Sequence, residues 1–222
     1  NGCHTNVSLW KGGELKSTPI GNNPLPGMDQ VFTHISGGEN MFMPDPKIDA
    51  VKPGPVGLNS IAGLLKHLPA LTCLGSPTVN SYRRLWDTGF WAPVYADWGY
   101  QNRTCSVRVS APGRVEYRSV DSSHNPYLMG AGILKAFEDG LDNKMDPGEP
   151  EKKNIYDAMK AGKEVDKLPL TLGEAIQRLD SDEIIKSALP EDMLRVFMHY
   201  KNDEWEKFLS AVTQWDVDTY LD

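Results

Sequence analysis

Residues 102–118 read NRTCSVRVSAPGRVEYR, and the way this stretch folds decides how the rest of the chain is interpreted. Two runs of alternating apolar and polar residues flank Ser-Ala-Pro-Gly, a turn sequence, so the stretch predicts a β-hairpin. Because side chains alternate along a strand, Arg114, Glu116 and Arg118 share one face, and the apolar residues between them take the other. If the two strands pair, Arg108 joins these three on a polar face above an apolar underside.

Arginine is concentrated in this part of the chain, and lysine is absent from it. Six of the eight arginines lie between positions 83 and 118, whereas none of the fifteen lysines lies between 67 and 134. The planar guanidinium fork binds carboxylate and phosphate through two parallel hydrogen bonds, which lysine cannot do. An exposed strand face with salt bridges is the alternative, since surface pairs are common and contribute only ~0–1 kcal/mol each. The spacing alone leaves both interpretations open.

A second polar face is predicted at the start of the chain. Residues 4–10 alternate, so His4, Asn6 and Ser8 lie on one side of a predicted strand. A single His is more often structural than metal-binding, but together with Glu116 it would supply two ligands of a hard-cation site. Phosphate oxygens and water would complete that site. The chain has neither a Walker-type P-loop nor a GxGxxG motif, so any nucleotide is held in another way.

Composition excludes several classes of protein. A net charge of -7 and a pI near 5.3 argue against general binding to nucleic acid or to anionic membranes. No apolar run approaches the roughly 18 residues of a membrane span, and the first residues lack the features of a signal peptide. Three cysteines without paired spacing predict a cytoplasmic protein without a disulfide or zinc framework. The chain starts without Met and directly on a predicted strand, so we expect it to be part of a longer protein.

The remaining pattern predicts mostly helices. Residues 14–57 are expected to form a functional loop or an ordered excursion. A helix follows over 58–68, which Pro69 kinks or restarts and which Gly75 and Pro77 end, and 78–101 should be loop with short strands. A helix is expected from Asn125-Pro126 to about Asn143, then a charged loop over 144–170, and then helices over 172–189 and 190–213.

Five segments together resemble a known family. NGCHTNVSLW, TVNSYRRL, NRTCSVRV, GRVEYR and HNPYL occur in the order and at the separations of the carboxy-terminal catalytic domain of glutamine synthetase. The resemblance covers essentially all of residues 1–222. It implies an α+β fold with a curved, largely antiparallel sheet flanked by helices. The tail, EWEKFLSAVTQWDVDTYLD, resembles the branch that includes the γ-glutamylmethylamide synthetases.

The resemblance implies a site for ATP, glutamate and Mg²⁺ or Mn²⁺. The implied residues are His4 and Glu116 as metal ligands, Ser8 and Arg114 beside the nucleotide, Arg84 and Arg118 around glutamate, and Arg103 and Arg108 at the phosphates. ATP would phosphorylate the γ-carboxylate, and an amine would then displace phosphate. The resemblance also implies an amino-terminal small domain and further metal-binding glutamates upstream of this chain. It implies a homo-oligomer of stacked rings, usually a dodecamer.

The segment LWDTGFWAP, residues 85–93, departs from the family pattern. Members that use ammonia carry a glutamate here, in a flap ending in Ala-Pro, whereas this chain has Trp91 just before that dipeptide. Trp86, Phe90 and Trp91 could contact an alkyl group or an alkylammonium ion, which favours a small primary amine over ammonia. The alternative is that these aromatic residues only pack, and that another acid, such as Asp87, serves ammonia.

Three further points qualify the resemblance. Asn6 stands where many members have a second His, so its contact to substrate is in doubt. Tyr156 resembles a position that is adenylylated in some enteric relatives, but most members are not regulated in this way. A noncatalytic relative that keeps only the fold is a third possibility, and the retention of His4, Glu116 and the arginines argues against it.

Overall fold

The computed structural model describes residues 2–19, 30–44, 47, 52–85 and 92–221. Its strands are β1 (Thr5–Val7), β2 (Trp10–Lys11), β3 (Glu14–Pro19), β4 (Gln30–Ser36), β5 (Glu39–Asn40), β6 (Trp98–Tyr100), β7 (Val107–Ala111) and β8 (Arg114–Tyr117). Its helices are α1 (Pro55–Gly75), α2 (Ser81–Leu85), α3 (Pro126–Asp142), α4 (Ile155–Lys160), α5 (Leu172–Asp180), α6 (Glu183–Lys186), α7 (Glu191–Ser210) and α8 (Gln214–Tyr220).

The main sheet has four strands in the order β1-β8-β7-β6. Strands β7 and β8 form the predicted hairpin, and its register aligns Arg108 with Glu116. Strand β1 pairs antiparallel with the other edge of β8, and β6 pairs parallel with β7. The small pairs β2–β5 and β3–β4 are separate antiparallel sheets. The predicted fold class, an α+β fold with a largely antiparallel sheet and flanking helices, is confirmed.

The helical core is organised around α1, which contacts α3, α5 and α6. Close contact between α1 and α3 depends on Gly63 and Gly140. A Cβ atom on Gly63 would overlap the carbonyl oxygen of Ala136, and one on Gly140 would overlap the carbonyl oxygen of Asn59. The two backbones therefore touch where these glycines meet, and a larger residue at either position has no room.

Helix α1 differs from its prediction. It begins at Pro55 rather than near Leu58, and it continues through Pro69 without interruption to Gly75. Pro55 fits the first turn because the N–H groups of that turn have no partner within the helix. Burial of the residues around Pro69 against neighbouring helices compensates for the hydrogen bond that proline removes. The prediction that Gly75 ends the helix is confirmed.

The start of α3 is confirmed, since Oδ1 of Asn125 accepts hydrogen bonds from the backbone N–H groups of Tyr127 and Leu128. Three segments contain regular structure that the sequence pattern did not show, namely 14–57, 144–170 and 78–101, where the short helix α2 lies in a segment predicted as loop with short strands. Strands β3 and β4 lie within 14–57, and a register shift at Lys16/Ser17 interrupts the period of two that would have revealed them. Helix α4 lies within 144–170 and is too short to show a helical period.

The helix predicted over 172–189 is divided into two, whereas the helix predicted over 190–213 is confirmed as α7, and the unpredicted α8 follows it. Helix α5 ends at Asp180, and Asp182 caps α6 by accepting a hydrogen bond from the backbone N–H of Ile185. Helix α7 ends at Ser210, and Thr213 begins α8 with a capping box. Each break therefore has a local capping cause. None of the helices in the described ranges is both long and apolar enough to cross a membrane.

Candidate active site

A cavity of about 620 Å³ opens beside the main sheet. Its lining combines one histidine, one carboxylate and four arginines with two small residues. The lining residues are Gly2, His4, Arg84, Ala92, Arg103, Arg108, Glu116 and Arg118. Six of the nine residues predicted to form the site therefore line a single cavity, although they come from α2, β7, β8, the segment before β1 and the loops beside the hairpin.

The pairing of β1 with β8 brings His4 to Glu116. Asn6 lies opposite Glu116 in the ladder, so His4, two residues earlier and on the same face, reaches the same carboxylate. Nδ1 of His4 lies 3.2 Å from Oε1 of Glu116. The Glu116 side chain is 8% exposed and that of His4 is 33% exposed, so the pair is open to the cavity on the histidine side.

Glu116 lies between two guanidinium groups. Nη1 of Arg108 donates to Oε2 at 2.9 Å, and Nη1 of Arg118 donates to Oε1 at 3.5 Å. Arg118 also donates from Nη2 to the carbonyl oxygen of Arg103 at 3.0 Å, which ties the loop carrying Arg103 to the end of β8. These contacts fix the orientation of the carboxylate from both sides.

Positive charge exceeds negative charge in the cavity lining, where four arginines face one carboxylate. Within the part of the chain that the structure describes, Nη1 of Arg84, Nε of Arg108 and Nε of Arg118 are buried without a hydrogen-bond partner. Burial also lowers the pKa of Arg84 and Arg118, which reflects the cost of holding these charges away from water. The excess of guanidinium groups over carboxylates in the lining favours the binding of an anion.

The pair of His4 and Glu116 fits a divalent cation. Burial lowers the pKa of His4, and the charge of Arg118 lowers it further against the opposing effect of Glu116. This shift favours the neutral imidazole, the form that binds metals, and Nη1 of Arg118 lies 3.3 Å from the same Nδ1 atom. Adjacent ligands of an octahedral ion with bonds of ~2.1 Å lie ~3.0 Å apart, close to the 3.2 Å observed. No cluster of three or more His, Cys, Asp or Glu suited to a metal occurs among the described residues, so other ligands must complete the site.

Comparison with known proteins decides the family. The model of the glutamine synthetase catalytic domain matches residues 30–220. The chain belongs to this family. It is 35% identical over 240 residues to the glutamine synthetase of Pyrococcus furiosus, covering 100% of this chain and 47% of the relative. It is 36% identical over 212 residues to the glutamate–methylamine ligase of Methyloversatilis universalis, covering 92% of this chain and 48% of the relative.

Solved structures agree with this assignment to the glutamine synthetase family. GmaS without ligand superposes with a TM-score of 0.79 at 32% identity, covering 100% of this chain and 45% of that structure. A GmaS/ADP complex superposes with a TM-score of 0.80 at 32% identity, covering 100% of this chain and 46% of that structure. The chain spans about half the length of the curated relatives it matches.

Two of the predicted site residues that the structure describes, Ser8 and Arg114, are not in the cavity lining. Oγ of Ser8 accepts a hydrogen bond from Nε1 of Trp10 at 2.9 Å. Nε of the exposed Arg114 donates to Oγ of Ser110 at 3.1 Å, at the bulged end of the hairpin. The predicted polar face is therefore confirmed for Arg108, Glu116 and Arg118, whereas Arg114 is exposed beside the bulge and does not line the cavity. Trp91, with Trp86, Asp87 and Phe90, lies outside the described residues.

Sequence reasoning overlooked Gly2. A Cβ atom on Gly2 would lie 3.0 Å from Nη2 of Arg84 and 3.1 Å from Nε2 of His4, so a side chain there would crowd both. The motif NGCH gave no indication of this contact, because it depends on Arg84 from α2 reaching the residues that precede β1. Gly2 therefore keeps free the space between His4, a predicted metal ligand, and Arg84, a predicted substrate ligand.

Proposed function

We propose that the full-length protein containing this chain is an ATP-dependent ligase. It joins the γ-carboxyl group of glutamate to a small primary amine, such as methylamine, through a γ-glutamyl phosphate intermediate. The observation that carries the proposal is the contact between His4 and Glu116 inside a cavity lined by four arginines. Such a site is suited to two anions that repel each other and must nevertheless react.

The four arginines of the cavity bind different anions. Arg84 and Arg118 hold the carboxylates of glutamate, and Arg103 and Arg108 hold the phosphates of ATP. The four guanidinium groups of the cavity lining support this proposal, since each has a planar fork that matches a carboxylate or a phosphate. Positive charge on both partners lowers the cost of bringing a carboxylate to a triphosphate.

The chemistry has two steps. An oxygen of the γ-carboxylate attacks the γ-phosphorus of ATP, and ADP leaves with the electron pair of the broken P–O bond. The amine nitrogen then attacks the acyl carbon, inorganic phosphate leaves, and the nitrogen loses a proton to a base. Charge developing on the transferred phosphoryl group in the first step is stabilised by Arg103 and Arg108.

His4 and Glu116 would hold a divalent cation, Mg²⁺ or Mn²⁺. When bound, such an ion supplies positive charge beside the phosphates. Arg108 and Arg118 fix the two oxygens of Glu116, and the neutral imidazole of His4 presents its lone pair to the same point. Further ligands come from glutamates upstream of this chain, in the part of the catalytic domain and the small domain that we predict to precede it.

A small amine is preferred over ammonia. The sequence LWDTGFWAP supports this, because it has Trp91 and no glutamate in the flap that serves ammonia in the family. Similarity to the glutamate–methylamine ligase and to GmaS supports the same preference. The second candidate is an ordinary glutamine synthetase, and similarity to the enzyme of Pyrococcus furiosus favours it.

A panel of amines tests the proposal. The full-length protein is given ATP, glutamate, Mg²⁺ or Mn²⁺, and ammonia, methylamine, ethanolamine or putrescine, and phosphate release and γ-glutamyl product are measured. We expect kcat/KM for methylamine to exceed that for ammonia. A wide margin for ammonia would favour the second candidate. Failure to bind ATP with either metal would favour a noncatalytic relative and overturn the proposal.

Two further properties belong to the proposed enzyme. It acts in the cytoplasm, and it assembles as a homo-oligomer of stacked rings, usually twelve subunits in this family. Mass measurement of the full-length protein in solution tests the assembly. A monomer at enzyme-assay concentrations would contradict it.

A further inference from the structure

Gln101 has an unusual backbone conformation. Its φ is 50°, in the left-handed region that side chains rarely adopt. Among the described residues, Lys144 is the other non-glycine residue with positive φ. Such conformations persist only where the surrounding structure holds them, and they are concentrated at functional sites. The question is what the conformation of Gln101 achieves.

The side chain and backbone of Gln101 together clamp strand β7. Oε1 accepts a hydrogen bond from Nη2 of Arg108 at 2.7 Å, and Nε2 donates to the carbonyl oxygen of Ser110 at 2.5 Å. The backbone N–H donates to the carbonyl oxygen of Val109 at 3.1 Å. Three successive residues of β7 are therefore bonded by one residue, and the left-handed backbone turns its side chain back onto the strand.

These contacts fix the position of the Arg108 side chain. Its guanidinium group is held by Glu116 at Nη1 and by Gln101 at Nη2, while its Nε has no partner within the described residues. Two of its five N–H donors are used in these contacts, and Nη1 and Nη2 each keep one further N–H for a ligand in the cavity that Arg108 lines. Because the amide of Gln101 is neutral, it orients the guanidinium group without cancelling its charge.

We propose that Gln101 is a positioning residue that presents Arg108 to the phosphoryl group in transfer. The inference rests on the proposed function, in which Arg108 contacts the phosphates. Gln101 itself touches Arg108 and not the substrate. A neutral acceptor is required at this position, since a carboxylate would hold Arg108 as a salt bridge and compete with phosphate for the same cation.

Three variants of the full-length protein test this inference. Gln101→Gly removes the amide and tolerates the left-handed backbone. Gln101→Glu keeps the acceptor and adds a negative charge. Lys144→Gly is the matched control, because it makes the same backbone change at an exposed site outside the cavity. Steady-state kinetics with ATP, glutamate and methylamine are measured together with thermal unfolding.

We expect Gln101→Gly to lower kcat by about tenfold to a hundredfold, the range expected for one hydrogen bond to a charged group. The KM for glutamate should stay within about twofold of the wild type, since Arg84 and Arg118 are unchanged. Gln101→Glu should also lower kcat at least about tenfold. If Gln101 served only as a structural hydrogen-bond acceptor, glutamate could take its place and kcat would stay unchanged. All three variants should unfold within about 4 °C of the wild type, and Lys144→Gly should keep full activity.

The outcomes separate the two proposals. An active wild type with unchanged kcat in Gln101→Gly, or full activity in Gln101→Glu, would overturn the inference alone. A parallel rise of the KM for glutamate in Gln101→Gly would also overturn it, because the defect would then extend beyond Arg108. A wild type that transfers no γ-glutamyl group with any amine would overturn the proposed function, and this inference with it.

Discussion

Nδ1 of His4 lies 3.2 Å from Oε1 of Glu116, although the strands that carry them lie far apart in the sequence. The contact exists because β1 pairs with β8 in a register that sets Asn6 opposite Glu116. One carboxylate therefore serves three neighbours: the imidazole of His4 and the guanidinium groups of Arg108 and Arg118. The first prediction concerns this carboxylate.

Glu116→Gln should abolish metal-dependent activity. The amide keeps the size of the side chain but loses the charge that binds a cation and orients Arg108 and Arg118. We expect kcat to fall at least about a hundredfold and the affinity for Mn²⁺ to fall by a similar factor. Calorimetric titration of Mn²⁺ into the full-length protein measures the second effect. Glu138→Gln, at an exposed pair with Lys135, is the control and should change neither quantity.

Substitutions of Arg103 and Arg84 should change different kinetic parameters. Arg103→Ala should lower kcat with little change in the KM for glutamate, because its contribution is made in the transition state. Arg84→Ala should mainly raise the KM for glutamate. Arg195→Ala, at an exposed pair with Asp192, is the control for the loss of an arginine. Equal effects of both cavity variants on kcat and on KM would contradict the division of roles.

The contact between α1 and α3 makes a prediction about stability. Gly63→Ala should lower the free energy of unfolding by about 3 kcal/mol or more, because its Cβ meets the backbone of α3 at Ala136, which cannot move as a side chain can. Gly130→Ala, on the open side of α3, is the control. It should be neutral or stabilise by up to about 1 kcal/mol. Urea unfolding measures both, and similar midpoints for the two variants would contradict the close contact.

A buried histidine predicts how stability depends on pH. His67 is 3% exposed, with Nδ1 2.6 Å from Oδ2 of Asp182 and Nε2 2.8 Å from Oδ2 of Asp139. Burial alone would lower the pKa of His67, but the hydrogen bonds to Asp182 and Asp139 outweigh it and raise the pKa. Burial alone would raise the pKa of the Asp139 and Asp182 carboxyl groups, but hydrogen bonds outweigh it and lower both pKa values. The cluster joins α1, α3 and the start of α6.

The directions of these pKa shifts define the pH range in which the cluster stabilises the fold. The contribution of His67 is fully present below its unfolded pKa of about 6.5 and is lost as pH rises through the higher folded pKa. The contributions of Asp139 and Asp182 are present above about pH 4 and are lost as pH falls through their lowered pKa values. We therefore expect the stability difference between the wild type and His67→Gln to be largest near pH 5–6 and to shrink towards pH 9. A difference that grows with pH would contradict the assignment, and unfolding midpoints from pH 4 to 9 measure it.

Local patterns predicted the hairpin and part of the site. The alternation around Ser-Ala-Pro-Gly indicates strands, and a period of two sets Arg108 and Glu116 on one face, where the structure has them hydrogen-bonded. The bulge between Val109 and Ala111, beside which Arg114 lies, has no signal in that pattern. A pattern with a strict period assumes an unbroken register, so it fails where one extra residue enters a strand.

Long-range contacts were not predictable from periodicity. The residue types suggested His4 and Glu116 as two ligands of one site, but only the resemblance to glutamine synthetase assigned both to the same metal ion, and the pairing of β1 with β8 that brings them together was not predicted. The continuity of α1 through Pro69 depends on burial against neighbouring helices, which overrides the local preference of proline. The positive φ of Gln101 is likewise set by contacts across the strand, because nothing in the residue type itself favours that conformation.

The most direct test of the candidate site is to locate Mn²⁺ by anomalous scattering in crystals of the full-length protein grown with Mn²⁺ and ADP. The account predicts a peak within about 2.5 Å of both Nδ1 of His4 and an oxygen of Glu116, with the nucleotide phosphates beside Arg103 and Arg108. Mn²⁺ bound elsewhere while His4 and Glu116 contact only each other and the arginines would contradict it.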